Sequence, residues 1–101
     1  YGKANGVRII AKKSAKQMQT PLSSPENYGL ALLTTNKLIS GKTLVGHTGS
    51  AYGLYSAMFF DPKEKFGIVV ITNGTSAKET DGYKAIIKES FNILYQNLIA
   101  K

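Results

Sequence analysis

Cysteine is absent from the 101 residues, which rules out a disulfide framework and any thiol or cysteine-based metal chemistry. Acidic residues are scarce: six Asp and Glu stand against thirteen Lys and Arg, for a formal net charge of +7. Arginine is scarcer still, with Arg8 alone. Such a balance draws anionic partners such as nucleic acid, acidic lipid or anionic wall polymers. Nucleic-acid readers lean on arginine and on basic stripes interleaved with aromatics, whereas the lysines here are scattered from Lys3 to Lys101. Nucleic acid is therefore not an expected partner. No apolar run is long enough to span a bilayer, and no secretory leader is visible. No internal repeat, cofactor-binding motif or metal-ligand cluster can be read. The chain opens on Tyr1 and not on Met, which suggests processing or a piece of a longer protein.

What remains suits one globular domain, 43% hydrophobic and 19% charged. A domain of this size buries a modest fraction of its surface and depends on a well-formed core. Residues 1–27 read as a short extended piece at Val7-Arg8-Ile9-Ile10, a helix capped by Ser14 and running to Met18, and a loop from Pro21. Residues 28–73 read as strands near 28–39, 42–50, 54–60 and 66–72. Ser40-Gly41 supplies a turn before the second strand, with Asn36-Lys37 as a rival turn. The run Ile68-Val69-Val70-Ile71 predicts a strand buried on both faces. Residues 76–100 hold the clearest helix, since Tyr83, Ile86, Ile87, Phe91, Leu94, Tyr95, Leu98 and Ile99 recur at three and four. Ser76 with Glu79, or Asp81, would cap it. The expected architecture is α+β, a four-stranded antiparallel sheet with this helix across one face, because short connections favour hairpins.

The stretch most suggestive of chemistry is Gly46-His47-Thr48-Gly49-Ser50. Its flanks Thr43, Leu44 and Val45 suit a strand, yet three glycines in eight residues, Gly46, Gly49 and Gly53, are costly inside one. They mark a turn, a bulge or a close approach. A hydroxyl, an imidazole and exposed main chain on one sheet edge can hold a small polar substrate. Taken alone, His-Thr-Gly is more often a strand end running into a turn than a site. The spacing of the residues downstream adds weight: Gly53, Ser56, Asp61-Pro62, Gly67 and Asn73.

In this order the residues resemble the serine β-lactamase and penicillin-binding superfamily, in its class C-like branch of D-alanyl carboxypeptidases, esterases and aminopeptidases. There a Lys-Thr-Gly or His-Thr-Gly strand lines the active site, succeeded by a glycine, a strand ending in Asp-Pro, and an apolar strand ending in Asn. Tyr28-Gly29-Leu30 is similar to the Tyr-Gly-Leu-Gly-Trp strand that precedes that motif. The resemblance implies a β-lactamase-like catalytic domain of which residues 1–101 form the C-terminal part, with the last helix on the sheet face away from the site. It implies that Ser50 supplies a backbone N–H to an oxyanion hole, and that His47, Thr48 and Gly49 bind substrate, with no metal and no cofactor. His47 stands where many relatives carry lysine, which leans the expectation towards peptidase or esterase members.

The family's nucleophile, a serine in Ser-x-x-Lys, is missing. The residue three after Ser14 is Gln17, after Ser50 is Gly53 and after Ser56 is Phe59. Tyr95-Gln96-Asn97 and Ser90-Phe91-Asn92 mimic its second motif but come after the third and lie on the packing helix, so they are set aside. The expected partners are then the N-terminal portion of the same enzyme, a peptidoglycan-type or other D-alanyl substrate, and further copies of the chain. The expected location is the bacterial cell envelope or exterior. The competing reading is a stand-alone cationic α+β module that binds an anionic polymer.

Overall fold

The computed structural model describes residues 1–24, 27–73 and 79–100. The chain divides into two compact units, Tyr1–Thr34 and Thr35–Lys101.

In the first unit, β1 (Lys3–Ala4) and β2 (Val7–Arg8) form a minimal antiparallel hairpin. Asn5 and Gly6 sit at its tip with φ of 51° and 76°, the paired left-handed conformation that Asn-Gly adopts most readily. Helix α1 (Lys12–Gln19) comes next. It begins after Ala11, so Ser14 lies inside it and does not cap it; no side chain caps its start. Pro21 stops it one residue after Thr20, whose hydroxyl donates to the Lys16 carbonyl at 2.7 Å.

The strand expected from Tyr28 to Ile39 is mostly absent. Gly29 N–H donates to the Leu32 carbonyl at 2.6 Å and Ala31 takes a φ of 64°, which folds Tyr28-Gly29-Leu30 into a turn. Gly29 is required there, because a Cβ would lie 2.4 Å from the Met18 carbonyl oxygen. Only β3 (Leu33–Thr35) and an isolated bridge between Tyr28 and Leu33 are extended.

The second unit is built on a meander. Strands β4 (Leu44–Ala51), β5 (Leu54–Asp61) and β6 (Phe66–Asn73) pair antiparallel in sequence order, and the sheet order is β3-β4-β5-β6. The expected four-stranded antiparallel sheet and C-terminal helix are thus present. The Ser40-Gly41 turn also forms, with Gly41 at φ 77° and the Lys42 N–H donating to the Ile39 carbonyl at 3.1 Å.

Alternation along the strands sends Leu44, Ala57, Phe59, Asp61 and Ile68 to one face, where all five are buried. Helix α2 (Ala85–Leu94) covers that face with Ile87 and Phe91, both fully buried. Phe59 lies edge-on to both Tyr83 and Phe91, with ring centroids 6.1 Å apart in each case. Asn92 ties the helix to the loop before β4, its Nδ2 donating to the Leu38 carbonyl at 2.8 Å. Burial pushes the Tyr83 phenol above its ordinary pKa, and a hydrogen bond with Thr35 partly offsets that.

Two expectations about these elements need correction. The helix starts at Ala85 and not near 76 or 83. Asp81 and Gly82 take φ of 56° and 86° and turn the chain between β7 (Glu79–Thr80) and β8 (Tyr83–Lys84). Of the expected caps, Ser76 lies outside the described residues, Glu79 is in β7, and Asp81 pairs with Lys88 at 2.9 Å. Beyond Leu94 the helix loosens into a π-turn at Tyr95–Ile99. The apolar run in β6 is buried on one face only: Ile68 is buried, whereas Val69 is 59% and Ile71 66% exposed.

Asp61 is a buried carboxylate with a local purpose. Its Oδ1 accepts the N–H groups of Lys63 and Glu64 at 2.8 and 3.0 Å, which fixes the turn from β5 into β6. Asp61→Ala is expected to cost about 1–2 kcal/mol, the usual loss when a capping acceptor is removed. Asp61→Asn keeps an acceptor and should cost less. Urea midpoints of the two variants measure the difference, and equal midpoints would count against the turn-fixing role.

Candidate functional site

The motif residues lie on β4, and strand alternation divides them. His47 and Gly49 face outward, opposite Met58 and Ser56 of β5. Thr48 and Ser50 face the helix side, opposite Ala57 and Tyr55. His47 and Ser50 are exposed, Thr48 and Gly49 half-buried.

The turn between β4 and β5 sets where the main chain points. It contains two residues, Tyr52 and Gly53, with φ of 52° and 83°, a type I′ geometry. Such a turn closes on a hydrogen-bonded pair, here Ala51 with Leu54. Antiparallel pairs then alternate between bonded and non-bonded along the ladder. Gly49–Ser56 and His47–Met58 are therefore bonded pairs, while Ser50–Tyr55 and Thr48–Ala57 are not. The N–H and C=O of Ser50 and Thr48 consequently point away from β5. The imidazole agrees with this assignment: His47 Nδ1 lies against the Thr48 carbonyl oxygen, which β5 leaves unused. A carbonyl oxygen only accepts, so Nδ1 carries the hydrogen in that contact.

The glycines serve different ends. A Cβ on Gly46 would lie 1.9 Å from the Met58 carbonyl oxygen and 2.7 Å from Phe59 Cα, so β4 and β5 meet there only because the side chain is missing. A Cβ on Gly49 would meet only Ser56 Oγ, at 2.8 Å. That hydroxyl makes a long contact of 3.4 Å with the Gly49 carbonyl.

The outward face around His47 and Gly49 is apolar. Across the sheet from His47 come Met58 and Val69, and across from Gly49 come Ser56 and Ile71. The unbroken apolar run of β6 gives no hint that Val69 and Ile71 are exposed beside Met58. A weaker signal does: Gly67 and Asn73 lie on the same face of β6 as Val69 and Ile71, a pattern less consistent with a dry face than the central run alone. Among the described residues no group of three His, Cys, Asp or Glu is placed to hold a metal ion, and no helix is long and apolar enough to cross a membrane. No family model, curated protein or solved structure matches the chain.

Proposed function

We propose that this chain supplies the His-Thr-Gly strand of a bacterial cell-envelope serine hydrolase that works through an acyl-enzyme. Its substrates in that reading are D-alanyl peptides, D-alanyl esters or β-lactams. The observation that carries the proposal is the direction of the Ser50 main chain, turned away from β5 by the two-residue turn. A backbone N–H so placed points to the side of β4 away from β5, which is where this reading puts the developing oxyanion, and losing one such donor typically costs a few kcal/mol of transition-state stabilisation. Thr48, two residues away, directs its main-chain groups to the same side of β4. His47 orders this edge through the Thr48 carbonyl, and Gly49 leaves the outward face clear beside it. The serine nucleophile and its lysine come from outside this chain, since no serine here has a lysine three residues on.

Two measurements test the reading. Titration with an acyl-D-Ala-D-Ala peptide should shift the amide resonances of Thr48, Gly49 and Ser50, and the L-Ala-L-Ala peptide should not. Incubation with a labelled penicillin should leave no covalent adduct. Absence of stereoselective shifts at these three residues, or an adduct on any serine of the chain, would overturn it.

One observation favours the second reading, a cationic module for an anionic polymer. Residues 1–24 hold Lys3, Arg8, Lys12, Lys13 and Lys16 and no acid, and Lys12, Lys13 and Lys16 line one shallow depression on α1. Binding of an anionic wall polymer that is lost in Lys12→Glu with Lys13→Glu, together with no effect at Thr48 to Ser50, would favour it.

A further inference from the structure

Among the described residues the sheet ends at β6, and the strand itself carries no residue that usually protects an edge. Natural edge strands are kept from pairing by lysine, proline, bulges or short length. Strand β6 runs for eight residues, Phe66–Asn73, without proline or a charged side chain, and no strand among the described residues pairs with its far side. The ladder alternation that orients Ser50 also orients this edge. Its bonded pairs with β5 are Tyr55–Thr72, Ala57–Val70 and Phe59–Ile68, so the N–H and C=O groups of Gly67, Val69, Ile71 and Asn73 point outward. Val69 and Ile71 are also the residues whose side chains are exposed.

Beside the edge lies a groove of about 410 Å³, lined by Val69, Val70 and Ile71 from β6 and by Ser90, Ile93 and Leu94 from α2. The helix leaves Ile86 and Ile93 exposed, seven residues apart and so on one helical face, with the uncharged Ser90 between them.

We infer that two copies of this chain pair antiparallel along β6 about a two-fold axis at Val70, joining their sheets and facing their Ile86-Ser90-Ile93 stripes across the groove. The inference is independent of the hydrolase reading. Charge selects the occupant. In a chain of net charge +7, like-charge repulsion opposes most contacts between copies, but this seam is neutral on both the strand and the helix stripe. A polyanion has nothing to bind there. Register is set by the pleat. Residues directly opposite in an antiparallel pair must share a face, so a two-fold axis passes through Val69 or Val70 and not between them. An axis at Val69 would set Ile71 against Gly67. An axis at Val70 sets Val69 against Ile71 of the other copy, twice, and these β-branched pairs also exchange main-chain hydrogen bonds.

Sedimentation equilibrium of the whole chain at micromolar and higher concentrations tests this. A monomer–dimer equilibrium is expected, with the amides of Val69 and Ile71 protected from hydrogen exchange only in the dimer. Ile71→Lys and Val69→Lys should each raise the dissociation constant more than about tenfold while leaving the circular dichroism unchanged and, at concentrations where the wild type is monomeric, the urea midpoint unchanged as well. Met58→Lys, on the outward face of the middle strand, should leave the dimer intact. A monomer at every concentration overturns the proposal. So does a dimer indifferent to both β6 substitutions, which would place another segment at the seam, or one that Met58→Lys weakens as much, which would mean face-to-face stacking.

Discussion

Phe91→Ala should remove about 3–5 kcal/mol, which for a domain of this size is most of the folding free energy. Phe91 is fully buried and stands edge-on to Phe59, the residue through which the middle strand meets the helix. Truncating it forfeits the burial of an aromatic ring and leaves a cavity that Phe59, held on its other side by Tyr83, cannot fill without breaking a second ring contact. Ile87 is the other fully buried residue of α2 and cannot anchor the helix alone. Urea unfolding followed by circular dichroism is the measurement. Ile93→Ala, at a position 60% exposed, is the control and, measured at concentrations where the chain is monomeric, should change stability by less than about 0.5 kcal/mol. A Phe91→Ala protein with a near-normal midpoint would mean that α2 is held by something other than this ring cluster.

Gly46→Ala is expected to be nearly as damaging, although it adds one methyl group. The backbone of Gly46 is not in the left-handed region, so conformational preference is not the cause. The added Cβ would meet the Met58 carbonyl oxygen and Phe59 Cα, backbone atoms of the neighbouring strand that cannot swing aside. Relief requires β4 to separate from β5 in the middle of their ladder. The cost should reach about 3 kcal/mol, the upper range for overpacking. Gly49→Ala is the matched comparison. Its Cβ meets only the Ser56 hydroxyl, which rotates away, and the loss should stay below about 1 kcal/mol. Thermal unfolding of the two variants separates them, and equal melting temperatures would count against close backbone approach at Gly46.

The sequence is legible where period and turn residues agree. Leu54–Asp61 and Phe66–Asn73 read correctly because a polar loop from Pro62 to Lys65 separates two strand-like runs. The Tyr28–Ile39 segment misleads because its composition suits a strand, while its path is set by Gly29 packed on the Met18 carbonyl, a contact no local pattern reports. The helix start misleads for a local reason. Tyr83 continues the helical spacing, but Asp81-Gly82 in the left-handed region holds it in a hairpin, and its ring reaches Phe59 from there. At the candidate site, the division of His47 and Gly49 from Thr48 and Ser50 is a matter of alternation alone. The direction of the Ser50 N–H depends on the number of residues in the turn after Ala51, and a turn of another length and type can change it.

The sequential order of β4, β5 and β6 also bears on how the chain folds in time. Each strand finds its partner across a turn of a few residues, so loop closure is cheap and hairpins of this kind form in about 1–10 μs. The helix that dries their inner face follows all three strands in the chain. At ribosomal speeds of about 5–20 residues per second, the stretch from Asn73 to Leu94 takes a second or more to emerge. For that interval Phe59 and Ile68 have no helix over them and the β6 edge is open. The nascent chain therefore passes through a stage in which its meander can already form while its stickiest surfaces remain wet, and this is the window in which a chaperone or a neighbouring nascent copy would meet it.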